Sequence, residues 1–249
     1  MELGLRLAHL YPKQMNLYGD RGNILCLRRR CATRGIELTV DELEIGEPLD
    51  STLYDLIFIG GAQDREQQRV AADLLAVKGD SLRQAVATGV VVLAVCGGYQ
   101  LLGRYYRPAE GEDLPGLGIF DAWTVHPGPT AKRFIGNVVV RWQGATLVGF
   151  ENHGGHTFLG PAARALGRVI AGHGNNGRDG TEGVVQANAF GTYLHGSLLP
   201  KNPRFADHLV ALALARKYGD GALPPLGDAL EEQAHAEAVR LAVKKPIFG

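Results

Sequence analysis

The run Val90-Val91-Val92-Leu93-Ala94-Val95-Cys96-Gly97-Gly98-Tyr99-Gln100 decides how this chain is read. Its valine-rich apolar start has the continuous hydrophobicity of a strand covered on both faces, as in a parallel sheet. The run stops abruptly at Cys96-Gly97-Gly98, and Tyr99–Gly103 begins a helix. A strand that turns straight into a helix strains the backbone of the turn residue, so the positions two before and two after it must be small. Ala94 and Gly98 are. This is the spacing of a nucleophile elbow with Cys in place of Ser. It predicts a sulfur at the carboxyl edge of the sheet, where open α/β folds bind ligands. The helix N-terminus beneath it favours a thiolate. The Gly97 N–H is then free to hold an oxyanion.

Working outward, Leu3–Leu10 alternates like a strand, Asn16–Asn23 is a turn cluster, and Ile24–Thr33 has helical spacing that Gly35 stops. Ile36–Glu42 is a second strand. Tyr54–Ile59 is a buried strand that ends in Gly60-Gly61, and Arg65–Val77 and Ser81–Thr88 are helical. This alternation implies right-handed crossovers and a mostly parallel sheet, the α/β class. Leu117–Val125, Phe134–Trp142, Thr146–Glu151, Arg168–Ala171 and Gly183–Gln186 are short strands between glycine-rich turns, expected as antiparallel additions to that sheet. Ala189–Leu194 is a further strand, ending at His195-Gly196, and Pro203–Tyr218 is a helix. Residues 1–218 therefore read as one domain. Gly219–Gly227 reads as a linker, and Asp228–Lys245 as a terminal helix of no assigned role with Asp228 as a candidate N-cap.

Composition bounds the function. The 249 residues are 45% hydrophobic and 21% charged, the balance of an ordinary globular chain. Lys plus Arg equals Asp plus Glu at 26 each, which argues against a general nucleic-acid binder. No apolar run reaches the roughly 18 residues of a membrane span. The start, MELGLRLAHLYPK, lacks the features of a secretory signal. Three cysteines without a CxxC pair make neither a disulfide framework nor a structural zinc site, so a reducing cytoplasm is expected.

A cysteine nucleophile needs a base, normally histidine. His195 ends a strand that would open on the same sheet edge as Cys96. His153 and His156, in Glu151-Asn152-His153-Gly154-Gly155-His156, are the other candidates. That cluster also has an H-x-x-H metal spacing, but its glycines oppose the helix that such a ligand pair needs. Gly60-Gly61 follows a buried strand and offers a second oxyanion donor. Cys26 and Cys31 sit in a basic helix without such framing and read as structural.

The glycine loops, the AVCGGYQ elbow and the late Gly191-Thr192-Tyr193-Leu194-His195-Gly196 strand together resemble class I glutamine amidotransferases of the cobyric-acid-synthase-like branch. Leu17–Asn23, Phe58–Gln67, Gly149–Gly155 and Gly174-Asn175-Asn176 narrow the resemblance to the GatD-like glutaminase subunits of lipid II isoglutaminyl synthases, over about residues 3–218. The resemblance implies a flavodoxin-like sheet flanked by helices. It implies L-glutamine as substrate, Cys96 as nucleophile and His195 as its base. Gly60 or Gly61 with Gly97 would form the oxyanion hole, and Arg133 would hold the substrate, its planar fork suiting a carboxylate. Many class I members carry an acid two residues after the histidine, and here that position is Ser197. In the GatD-like family the third residue comes from an Asp of the partner ligase, so the isolated chain is expected to be a poor glutaminase.

The chain has no GxxxxGK[ST] motif. No cofactor is expected in it. ATP and Mg²⁺ belong to the partner, by resemblance a MurT-like ATP-dependent ligase subunit that amidates the D-glutamate of the lipid II stem peptide. Other readings are a glutaminase subunit of a corrinoid-type synthase, a stand-alone cysteine hydrolase on a similar sheet, and a non-catalytic subunit that keeps the fold.

Overall fold

The computed structural model describes residues 3–17, 20–195 and 198–244. In chain order the elements are β1 (Leu3–Leu10), α1 (Arg21–Thr33), β2 (Ile36–Leu43), β3 (Leu56–Ile59), α2 (Asp64–Asp73) and α3 (Gly79–Ala87). Then come β4 (Val91–Val95), α4 (Gly97–Leu102), β5 (Tyr105–Arg107), β6 (Leu114–Pro115), β7 (Ala122–Val125), β8 (Phe134–Trp142) and β9 (Ala145–His153). The remainder is β10 (His156–Leu159), β11 (Gly167–Ala171), β12 (Thr181–Glu182), β13 (Val184–Gln186), β14 (Ala189–Thr192), α5 (Leu198–Lys201), α6 (Pro203–Tyr218) and α7 (Ala229–Lys244). A π-helical turn, Leu74–Lys78, joins α2 to α3, where the sequence predicts that the first of two helices, Arg65–Val77, runs on.

The central sheet has six strands in the order β13-β14-β4-β3-β1-β2. All neighbours pair in parallel except the β13–β14 edge. Each residue of β3, β4 and β14 is buried, which is why these segments read as unbroken apolar runs. Glycine at position 35, with φ +68°, ends α1 and releases the chain into β2.

The middle strands differ from the sequence expectation. Among the described strands only β13 is added antiparallel to the central sheet. The others build two separate four-stranded sheets, β10-β7-β5-β6 and β12-β11-β8-β9. Alternation specifies a strand and its faces but not its partner, and the β8–β9 hairpin closes on itself before it can reach the central sheet. One antiparallel bridge ties this region back: Phe150 of β9 exchanges backbone hydrogen bonds with His195, at 2.9 and 3.2 Å.

The segment after α6 is docked rather than loose. Asp228, expected to cap the last helix, directs its carboxylate at Arg30 instead, at 2.7 and 2.8 Å. Lys245 of the expected helix lies outside the described residues. Among the described residues, no helix is long and apolar enough to cross a membrane.

Candidate active site

The β4–α4 turn is strained as its sequence predicts. Cys96 has φ 49° and ψ −103°, a conformation L-residues rarely adopt. The turn closes because Gly98 brings no side chain: a Cβ there would lie 2.8 Å from the Ile59 carbonyl oxygen. The Gly98 N–H donates to the Gly60 carbonyl at 3.1 Å, so the two glycine loops hold each other.

The parallel β14–β4 pairing, with Thr192 beside Val95, brings the end of β14 alongside the elbow. The Cys96 N–H donates to the Thr192 carbonyl at 2.8 Å. His195 is thereby brought beside Cys96. A Cβ on Gly61 would stand 2.7 Å from His195 Cε1 and 3.3 Å from Cys96 Cβ, so this glycine leaves the space in which the pair meets. Cys96 is 5% exposed and faces a cavity of about 600 Å³ that Arg133, Gln67, Gln100, His153 and the Gly154-Gly155 loop also line.

A carboxylate stands behind the histidine. Asp20, fully buried, has Oδ1 3.4 Å from His195 Nδ1 and accepts the Gly61 N–H through Oδ2 at 2.7 Å. Burial alone would lower the imidazole pKa. The negative charges of Cys96 and Asp20 outweigh it and hold His195 well above its ordinary value. The site thus sets a cysteine beside an imidazole whose other nitrogen faces a buried carboxylate.

Sequence reasoning placed the third residue outside the chain, yet Asp20 of this chain occupies the Nδ1 side. Ser197 lies outside the described residues. The signal was present in Leu17–Asn23, a motif with an acid in it, but nothing local says that this turn returns to β14.

The Gly61 N–H is taken by Asp20, which removes it as a ready donor. The amide nitrogen of Ala62 lies 3.0 Å from where a Cβ of Gly97 would be, so the two glycine loops meet there without a side chain between them. Gly60 contributes its carbonyl, to Gly98.

Arg133 reaches the cavity from the start of β8, with Nε and an Nη each 3.1 Å from Asn152 oxygens. Glu151 holds the loop after β11, accepting from the His173 N–H at 2.7 Å and the Gly174 N–H at 2.9 Å. His153 stacks on Tyr193, centroids 3.6 Å apart, while His156 stacks on Phe134. His153 Nδ1 lies 2.7 Å from the Gly155 carbonyl oxygen, and among the described residues no group of three or more His, Cys, Asp or Glu is placed to hold a metal ion. Burial pushes the Cys26 and Cys31 thiols up, to about 11 and about 12.

Residues 6–203 match the model of the CobB/CobQ-like glutamine amidotransferase domain. The chain belongs to that family. Among curated relatives of this glutamine amidotransferase, the Streptococcus pneumoniae lipid II isoglutaminyl synthase (glutamine-hydrolyzing) subunit GatD is 43% identical, over 94% of this chain and 90% of that one. The Staphylococcus aureus GatD subunit is 41% identical over 86% of each. A cobyric acid synthase of Pelotomaculum thermopropionicum is 34% identical over 61% of this chain but 31% of its own length. Among solved structures, a glutamine amidotransferase shares the fold with a TM-score of 0.56 at 16% identity, covering 83% of this chain and 98% of the other. The Trypanosoma brucei CTPS glutaminase domain with bound acivicin gives 0.56 at 13%, covering 89% and 96%.

Proposed function

We propose that this chain is the glutaminase subunit of a lipid II isoglutaminyl synthase, hydrolysing L-glutamine and passing ammonia to an ATP-dependent partner. The observation that carries the chemistry is the buried Cys96–His195–Asp20 line at the mouth of a polar cavity. The choice of synthase rests on the GatD relatives, which match nearly end to end where the cobyric acid synthases match a third of their length.

Cys96 Sγ attacks the δ-carbon of glutamine, and the carbonyl oxygen becomes an oxyanion held by the Gly97 amide. Collapse of that intermediate breaks the C–N bond as the imidazolium of His195 gives its proton to the departing ammonia. The γ-glutamyl thioester remains. Water then attacks the thioester, His195 takes its proton, and glutamate leaves with the thiolate restored. Arg133 pairs with the α-carboxylate of the substrate.

The partner would be a MurT-like ligase that uses ATP and Mg²⁺ to activate the D-glutamate carboxyl. Its dependence on ATP places the pair in the cytoplasm. Asp20 supplies the orienting carboxylate within this chain. The 3.4 Å length of its contact favours a second reading as well, in which partner binding tightens this pair or adds an Asp of its own.

The test is mass spectrometry after treatment with 6-diazo-5-oxonorleucine, run with copurified partner. Cys96 should carry the label. A Cys96→Ala chain should still assemble with its partner while glutamine-dependent amidation disappears. Labelling elsewhere, or amidation surviving the substitution, rejects the reading.

A further inference from the structure

Opposite charges line the cavity in front of Cys96 without meeting each other. Arg133 reaches it from the start of β8 and Asp64 from the first turn of α2, and Asp64 is the one acid among its described lining residues. Both residues are exposed, so a ligand can reach either side chain. Arg133 hydrogen-bonds Asn152 oxygens and Asp64 accepts from the Tyr106 hydroxyl, and among the described residues neither forms an ion pair.

Asp64 is held in place at the cavity wall. The Tyr106 hydroxyl donates to Oδ1 at 3.0 Å. Burial and the charge of Asp64 raise the Tyr106 pKa, so the phenol keeps its proton and remains a donor. Tyr106 is 2% exposed and sits in β5, so it fixes the carboxylate rather than following it into solvent. Among the described residues Oδ2 accepts no hydrogen bond, and it is the oxygen left for a ligand.

The two charges flank one bare loop. A Cβ on Gly154 would lie 3.4 Å from Arg133 Nη1, and a Cβ on Gly155 would lie 3.3 Å from the Tyr106 ring. Successive Cα atoms are about 3.8 Å apart, so the guanidinium and the ring that tethers Asp64 stand next to each other along this loop. Both glycines line the cavity. The Tyr106 hydroxyl also feels the charge of Cys96, which sets the tether on the nucleophile's side of the wall.

With the amide of glutamine at Cys96, the other end of the molecule presents a carboxylate and an ammonium on one carbon. Arg133 pairs with the carboxylate. The ammonium, a few bond lengths from it, needs an anion beside that guanidinium, and a charge-assisted hydrogen bond to a carboxylate is the strongest the cavity can offer.

We propose that Asp64 is a substrate-binding residue that accepts a hydrogen bond from the α-ammonium of glutamine through Oδ2, selecting amino acids over their deaminated analogues. This rests on the glutaminase reading above.

The experiment compares alkylation of Cys96 by 6-diazo-5-oxonorleucine and by 6-diazo-5-oxohexanoate, the same reagent without its amino group. Second-order rates are read by mass spectrometry on the full chain with copurified partner. The wild type should prefer the amino reagent by about tenfold to a hundredfold, the scale of one hydrogen bond to a charged group. Asp64→Asn keeps the size of the side chain and an oxygen for Tyr106 but removes the charge. It should erase most of the preference by slowing the amino reagent alone. Equal slowing of both reagents, or a preserved ratio, overturns the proposal. So does a wild type labelled equally fast by both, a result that leaves the glutaminase reading standing. A wild type labelled at Cys96 by neither reagent overturns that reading, and this proposal with it.

Discussion

Asp20 makes two contacts at once. One oxygen faces His195 and the other holds the Gly61 amide, so the carboxylate fixes the imidazole and shapes the loop beside the sulfur. Asp20→Asn keeps the size of the group but removes its charge and offers the ring a donor where it needs an acceptor. Glutamine hydrolysis should fall by about a hundredfold to ten-thousandfold, the range for losing a histidine orienter. The pH profile separates this from simple misfolding. Asp20 helps raise the His195 pKa, and the reaction needs the protonated ring to release ammonia, so activity is lost as pH rises through that value. Without Asp20 the value drops, and the alkaline limb of kcat/KM should move to lower pH. An unmoved limb would mean that the carboxylate serves the loop alone. Cys96 was legible because strain forces a local signature of small residues around it. His195 was legible because it ends a strand of the same sheet. Asp20 was not, because its approach to His195 is a contact between residues 175 apart that only the assembled sheet creates.

At the scale of elements, the elbow depends on two glycine loops packed without side chains between them. Gly98→Ala would drive a Cβ to 2.8 Å from the Ile59 carbonyl and 2.9 Å from that of Gly60, both backbone atoms that cannot rotate aside. A loss of about 1–3 kcal/mol in denaturant unfolding should follow, together with slower labelling of Cys96. A second prediction lies in the tie between β12 and β14. Glu182 is buried, and its carboxylate accepts from the Thr192 hydroxyl at 2.6 Å and from the Tyr193 N–H at 2.8 Å. Burial outweighs these bonds and raises its pKa to about 7. The folded state thus holds a proton that the unfolded chain has already released. Stability should be greatest below the ordinary carboxylate pKa and fall by roughly 2–4 kcal/mol as pH rises to about 7, then level off. Glu182→Gln should flatten that slope in melts recorded from pH 4.5 to 8; an unchanged slope would show that Glu182 ionises normally. The strands of this region were readable one by one, with β8 legible from end to end. Their grouping into two separate sheets was not, since side-chain alternation carries no address for the neighbouring strand.

Across the whole molecule, the chain's two ends of sequence are locked together by charge. Arg30 of α1 is nearly buried between two carboxylates, Asp207 of α6 at 2.6 and 2.7 Å and Asp228 before α7 at 2.7 and 2.8 Å. Arg34 adds a second fork on Asp207. From there α7 crosses the β8–β9 hairpin, seating Ala242 against Val139 and Val148, and His235 bridges Thr146 and the Lys201 carbonyl. The segment after residue 218, which composition presents as a linker and a spare helix, is thus a strap over the sheet that carries Arg133 and His153. Removing Arg30 leaves Asp228 without its cation, while Asp207 keeps Arg34. Truncating one member of a buried pair costs about 3–5 kcal/mol, and this cost is reduced here because both aspartates reach solvent, 26% and 19% exposed. Arg30→Ala should therefore lower stability by about 2–3 kcal/mol and make the Gly219–Gly227 stretch cleave faster in limited proteolysis. The active site lies at the other end of the α1 turn and shares no contact with Arg30, so the labelling rate of Cys96 in the surviving native fraction should stay within about twofold of wild type. A large fall in that rate, with stability unchanged, would instead mean that the strap positions the substrate-binding sheet.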